Sequence, residues 1–565
     1  LIRRVKTNIM NHLPQELVDR ISSFLDLEDL KNTLLLSRKF QHAAEKYSGA
    51  FSSYALTEDN DSEFLGTYSG RHFLHLRTVE FRTSVPALEW DKGSHSDDEY
   101  PTCRDTEDEL QLMDEEFTRQ IKFLFATLEV VESCASKAYG PGKIELTLYT
   151  PTRQVDVEEY CLHRTFTSWR VHLLAPEMLP SLTSVRVLVV ENGVLLESED
   201  EPDPSLRKLD LRVLIDISNK LPNLDELRCK LGGDEWPRGA RLEAGRYITH
   251  DWAGPRRDSR HDFGKALSAV ALPCLRHAHL DFIHPLSSVD WIDQRLALPN
   301  LTQPKPYDPF SSSLRLLSHQ LRTLNLRVVA DETLFWPTDG IAPSWPNLES
   351  LSVMFHMATP SGAWYFNGLP YVGATSGFNL TSASYPPTEG NAKDDETDED
   401  ISNVEWDESR SRAQFRVEPN NVTLVPLLIG FAKAAAQMPS LKEAAIWSPL
   451  VFRVYDVEAY ENFDTSHVSD FADNGLAWGL AYTKPGAEAF TIKPGEDFCS
   501  VRQMWWRVAK WRPDAALHRL VQQIGRTEHG EELKEYWDDS YWTGDGLVGR
   551  ECFTKWEEQR WFVDA

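Results

Sequence analysis

One short template constrains the fold of this chain more than any other feature. It runs apolar residue, Pro, small residue, Leu, two polar residues, apolar residue. It reads LPSLTSV from Leu179, LPNLDEL from Leu221, LPCLRHA from Leu272, WPNLESL from Trp345 and MPSLKEA from Met438. A partial copy, LPNLTQP, starts at Leu298, and HQLRTLNL at His319 keeps the leucines without the proline. Helical stretches precede several copies: VLIDISNK before Leu221, FGKALSAVA before Leu272 and VPLLIGFAKAAAQ before Met438. Alternating stretches such as VRVLVV, LNLRVV and LSVMF follow, which is the pattern of a strand. Proline lacks a donor and restricts the residue before it, so it closes the helix; the next Leu seals the turn into the strand.

Helix, Pro-Leu turn and strand in repetition predict an α/β chain built as an irregular, leucine-rich-repeat-like αβ solenoid over residues 51–450. The uneven spacing of the copies is the mark of inserted loops. An ordinary α/β domain with short parallel strands is the alternative. Before the first clear copy, Phe73–Val85 reads as a strand. The stretch around Phe117, Ile121, Leu124, Leu128 and Val131 reads as an amphipathic helix, and KIELTLYTP as another strand. Residues 372–412 are polar, acidic and aperiodic and are expected to be a disordered insertion. The last 88 residues hold eight tryptophans, so 451–565 is expected to be an aromatic-rich cap over the final repeat, with a recognition surface as the other reading. Within it Pro513 is placed near the first turn of a helix.

Charge narrows the function. Lys plus Arg number 59 against 87 Asp plus Glu, a formal net charge of -28, which disfavours nucleic acid as a partner. The acids concentrate at Glu89–Glu116, Glu197–Asp203 and Asp394–Asp400, read as solvated loops. No stretch has the length and apolarity of a membrane span. Seven cysteines at irregular spacings fit reduced thiols, hence a cytoplasmic or nuclear setting. No nucleophile elbow, phosphate loop or zinc-protease helix is present. His277 and His279 share one strand face but lack a third ligand at a suggestive spacing. The sequence therefore points to no catalytic residue, no metal and no cofactor, and to a non-enzymatic protein.

The N-terminus poses a different problem. Leu13, Leu17, Val18, Ile21, Phe24 and Leu25 follow helical spacing behind Pro14. Asp26–Asp29 breaks the pattern and offers N-cap carboxylates, and Leu27, Leu30, Leu34, Leu35 and Leu36 follow. A unit of residues 8–50 is too small to hide this much apolar surface by itself. Either the repeats cover it, as they would a simple end cap, or a second polypeptide does.

The segment LPQELVDRISSFLDLEDLKNTLLLSRKF, Leu13–Phe40, resembles the F-box. Leu13-Pro14, Glu16-Leu17, Ile21, Phe24-Leu25, Asp29-Leu30 and Leu36-Ser37-Arg38-Lys39-Phe40 match its pattern without a gap, with Ser37 for the usual cysteine and Phe40 for the usual tryptophan. The order of an N-terminal F-box followed by irregular leucine-rich repeats is similar to proteins abundant in fungi. The resemblance implies a substrate-recognition subunit of a ubiquitin ligase. It would dock a Skp-family adaptor, and through it a cullin, while the repeats hold a protein substrate whose binding residues stay unassigned. It also implies Leu13, Pro14, Leu17, Ile21, Leu25, Leu30, Leu34, Leu36 and Phe40 as the docking and packing set, with the division between adaptor-facing and core residues left open. An F-box protein acting outside the ligase, and a repeat scaffold for protein–protein interaction, are the alternatives.

Overall fold

The computed structural model describes residues 13–87, 104–139, 142–153, 162–165, 167–192, 206–232, 247, 250, 252–286, 292–369, 371–400, 413–453, 475–487, 490, 500–537 and 546–553. Helices α1 (Gln15–Ser22), α2 (Leu27–Thr33) and α3 (Arg38–Tyr47) form a small N-terminal cluster. The rest is a mixed α/β body around one thirteen-stranded, mostly parallel sheet. Its strands begin with β1 (Ser53–Leu56), β2 (Thr78–Val85), β3 (Ile144–Arg153) and β4 (Val185–Glu191). They continue with β5 (Glu226–Lys230), β6 (His277–Asp281), β7 (Thr323–Val328), β8 (Ser350–Phe355) and β9 (Glu443–Leu450). These nine are parallel, and each pairs with its neighbour in chain order.

The template explains that order. Its fourth residue is buried in every copy that leads into this sheet: Leu182, Leu224, Leu275, Leu348 and Leu441, with Leu321 in the proline-free copy. In register with one another, Leu227, Ala278, Leu324, Leu351 and Ala444 follow three residues later as the first inward side chains of β5–β9. The polar fifth residue forms a backbone ladder at the start of the strands. Arg276 N donates to Asp225 O at 2.8 Å, Arg322 N to Arg276 O at 2.7 Å, Glu349 N to Arg322 O at 2.7 Å and Lys442 N to Glu349 O at 2.7 Å. One copy of the template thus begins one strand and pairs its turn with the copy before.

The partial copy at Leu298 does neither. Its seventh position is Pro304, where the others carry an apolar strand residue, and its fifth, Thr302, donates its amide to Asn300 Oδ1 at 3.1 Å instead of to a neighbouring turn. Leu301 packs instead with Ala253 and Leu380 in a small separate cluster.

Helices cover the inner face of the sheet and enclose one continuous core with it. They are α4 (Asp61–Tyr68), α5 (Glu107–Tyr139), α6 (Arg212–Ser218), α7 (Ala253–Ala269), α8 (Pro309–Ser318), α9 (Asn421–Ala435) and α10 (Ala515–Val521). The helix foreseen around Phe117–Val131 lies within α5, and Phe117, Ile121, Leu124, Leu128 and Val131 are all buried. Glu132 of α5 fastens the helix to the turn before β4, accepting from Thr183 N at 2.9 Å and Ser184 N at 3.1 Å. Asp308 caps α8 and Asp514 caps α10, with Pro513 directly before that cap.

Two boundaries differ from the sequence-based expectation. The sheet runs through residue 450 without a break. β9 pairs antiparallel with β10 (Leu476–Thr483), and β10 pairs with β11 (Arg502–Arg507). Beyond them, β12 (Leu533–Trp537) lies parallel to β11, and β13 (Val548–Gly549) pairs with β10. The C-terminal segment is thus part of the same sheet and core. Trp478, Trp505 and Trp506 are buried in it, and Trp506 stacks on Trp537 at 4.6 Å; Trp542, Trp556 and Trp561 lie outside the described residues.

The second difference concerns the acidic insertion. Residues 371–400 are ordered, and Ala392–Asp400 is a helix; 401–412 lie outside the described residues. Asp394 is fully buried and accepts from Arg104 Nη2 at 2.6 Å and from the Tyr247 hydroxyl at 3.0 Å. The other acidic runs divide in the same way. Asp105 pairs with buried Arg153 at 2.8 Å and Glu109 with Arg164 at 2.8 Å, whereas Glu197–Asp203 lies outside the described residues. A carboxylate sequestered by a guanidinium is interior structure, whatever the charge of its neighbours in sequence.

Leu275→Ala removes a fully buried template leucine and is expected to cost about 2–5 kcal/mol in denaturant unfolding. Asp394→Ala takes the carboxylate away from a buried arginine and is expected to cost about 3 kcal/mol by the same measurement. Burial pushes the Asp394 carboxyl up, but the Arg104 hydrogen bond and charge outweigh it and hold it below 3.8. A group depressed in the fold stabilises above its unfolded pKa. The Asp394 contribution is therefore complete above about pH 4 and is lost as pH falls through the folded value.

Candidate docking surface

The N-terminal cluster has its own core, small and separate from that of the sheet. Val18, Phe40 and Ala43 make it, with Leu13 packed against them, and Leu30 and Ala44 are buried nearby. Capping fixes the helices. Asp26 accepts from Asp29 N at 2.8 Å to start α2, as its position behind the break in the pattern suggests. Ser37 accepts from Phe40 N at 3.3 Å to start α3. Lys39 Nζ donates to Leu13 O at 2.6 Å and Lys46 pairs with Asp19 at 2.9 Å, so α3 holds the entry to α1 and its middle.

This core uses only part of the apolar surface. Leu17 is 49% exposed, Ile21 44%, Phe24 79%, Leu27 59%, Leu34 38%, Leu35 95% and Leu36 46%. With Tyr47 they are eight of the nineteen exposed large apolar side chains among the described residues, gathered between positions 17 and 47. Leu17 and Ile21 are one turn apart on α1, and Leu34–Leu36 form the turn between α2 and α3. Such concentration on a small unit marks a surface that a partner covers. Burying these side chains returns roughly 1–2 kcal/mol each before the cost of association.

The residues singled out by the sequence divide accordingly. Leu17, Ile21, Leu34 and Leu36 are outward; Pro14 is exposed, and Leu13 and Leu25 are half-buried. Leu30 and Phe40, each 2% exposed, are core residues and cannot touch a partner without unfolding the cluster, which corrects their place in the docking set. Phe24, Leu27 and Leu35 belong to the exposed surface and were not singled out. Helical periodicity marks an apolar face but not how much of it α3 covers.

The cluster meets the body through a polar junction that leaves this surface clear. Arg71 donates to Glu45 Oε1 at 2.6 Å, and the Phe51 ring stacks on His72 at 4.1 Å.

Elsewhere, β5–β7 present an outer face of alternating half-buried polar side chains, among them Arg228, His279 and Arg327. From β8 to β11 the strands are buried on both faces almost throughout; Phe366 lies over β8 and β10 against Phe355 and Trp478. His277 and His279 do share one face of β6 but join no three-ligand group among the described residues.

One buried titratable group invites a catalytic reading. Burial and the neighbouring Asp308 charge push Asp331 up to about 7. Both carboxylates serve as caps. Asp308 accepts from Ser311 N at 3.0 Å and pairs with Arg260, while Asp331 accepts from Asp308 N at 2.8 Å and from Thr333 N at 3.0 Å. That assigns them a structural task. Among the described residues no helix is long and apolar enough to cross a membrane.

Leu35→Asp and Phe24→Asp are expected to leave thermal stability within about 0.5 kcal/mol of the parent chain, as at other open surface sites. Phe40→Ala is expected to cost about 3–5 kcal/mol in the same melts, measured by circular dichroism. Compared with protein-family models and with curated proteins, the chain matches none of either.

Proposed function

We propose that this chain is the substrate-recognition subunit of a ubiquitin ligase of the Skp–cullin–F-box type. α1–α3 dock a Skp-family adaptor, and the sheet body holds a protein substrate. On this reading β1–β9 are stacked αβ repeats of irregular leucine-rich-repeat type, and the open polar face of β5–β7 is the substrate surface. The chain itself breaks no bond. It raises the local concentration of substrate lysines near a charged conjugating enzyme.

One observation carries the reading. The segment that resembles an F-box keeps Val18, Leu30, Phe40 and Ala43 for its own core while leaving seven large aliphatic or aromatic side chains from Leu17 to Leu36 uncovered. A simple end cap requires the reverse arrangement, with that face laid on the repeats. Exposed apolar anchors on a rigid helical cluster suit insertion into a partner's groove.

The test is capture of a purified Skp-family adaptor by the full chain and by a Leu17→Asp/Leu35→Asp variant. The parent chain is expected to bind at micromolar concentration or tighter, and the variant to lose at least ~100-fold while staying folded. No binding by the folded parent chain sinks the proposal. Binding without recruitment of a cullin would instead place the protein among F-box proteins that act outside the ligase.

A further inference from the structure

At the junction between the helical cluster and the sheet, polar atoms are buried with nothing to satisfy them. His42 and Glu45 lie three residues apart on α3. His72 belongs to the short 3-10 turn Arg71–Leu74 that leads into β2, and His75 follows it directly. One ligand atom from each of His42, Glu45 and His75 falls within 4.8 Å of the others. Glu45 Oε2, His72 Nε2 and His75 Nε2 are all buried without a hydrogen-bond partner. Three orphaned atoms in one place are costly, since each loses its hydration for nothing.

The surroundings orient those atoms. Glu45 Oε1 accepts from Arg71 at 2.6 Å and from Gln41 at 2.9 Å, which fixes the carboxylate and leaves Oε2 turned away from both donors. His72 Nδ1 lies 3.2 Å from Thr67 O, an acceptor only, so Nδ1 carries the proton and Nε2 presents its lone pair. That nitrogen is 3.5 Å from Glu45 Oε2, an ion pair when the ring is protonated and an uncompensated contact when it is neutral. An imidazole held by a backbone carbonyl through its far nitrogen is the usual outer support of a metal-ligating histidine.

We propose that His42, Glu45 and His75, with His72 as a neighbour of Glu45, bind a divalent transition-metal ion that staples α3 to the turn before β2. Imidazole with one carboxylate favours zinc or cobalt over magnesium or calcium. Ligands 2.0–2.2 Å from zinc stand roughly 3.4 Å apart in a tetrahedral site, so a modest rotation of half-buried His42 closes the set. The ion gives Glu45 Oε2, which Arg71 does not reach, and the imidazole nitrogens the partner they lack. It also fixes the angle between the exposed apolar surface and the sheet body. The site does not depend on what that surface binds.

The test is a cobalt titration of the full chain, free of any histidine tag and stripped with chelator, with loosely held ion removed by gel filtration. One equivalent is expected to be retained, with visible d–d absorption of a four- or five-coordinate nitrogen and oxygen site, and zinc is expected to displace it and bleach the colour. His42→Ala leaves no buried void and is expected to weaken retention at least ~10-fold with unchanged circular dichroism. His75→Gln is expected to do the same or more. The proposal is overturned if the folded parent chain retains no cobalt. Retention at full affinity by folded His42→Ala overturns it equally.

Discussion

The backbone ladder between consecutive template turns is the constraint on which the body depends. Each fifth-position residue from Arg276 through Arg322 and Glu349 to Lys442 is tied by its own amide to the turn before it, and the Asp225 amide is tied to Arg186 of β4. The leucine just ahead of each is sunk into the core. Register then has no freedom: a slip by one residue would turn Leu227, Leu324 and Leu351 outward together. Long insertions between copies, such as the one from β8 to β9, are tolerated because the strand after them is re-indexed by its own turn. The entropy of a longer loop grows only slowly with its length.

How much of this was legible follows from the range of each signal. The template is local, so the strands after Leu179, Leu221, Leu272, Trp345 and Met438 could be read, and Pro304 in the sixth copy was a visible warning against a further strand there. The short β1 and the antiparallel return through β10 and β11 carried no comparable marker. Asp394 was misjudged because composition reports average surroundings, whereas its environment is decided by Arg104 and Tyr247, which come from distant parts of the chain. The candidate metal ligands were hidden for the same reason: His42 and Glu45 form a spacing with little meaning until the fold brings His75 beside them.

At the N-terminus the division of labour among leucines is a matter of quantity. α1 gathers Leu17, Val18 and Ile21 on one face, and α3 covers only the edge of that face that holds Val18. Pattern alone shows a greasy helix. Three-dimensional packing decides that Leu30 and Phe40 are spent on cohesion while Leu17, Ile21 and Leu35 remain available. The junction to the body is made by Glu45, Arg71 and the Phe51–His72 stack, so the cluster is held in place without drawing on its apolar side.

The Arg104–Asp394 pair has a consequence for synthesis. At roughly 5–20 residues per second, translation delivers the aspartate some 15–60 s after the arginine. Throughout that interval the segment ahead of α5 holds an arginine whose Asp394 partner is still unmade. The early strands can align while the nascent polypeptide lengthens, but this part of the interior closes only after Asp394 has been made.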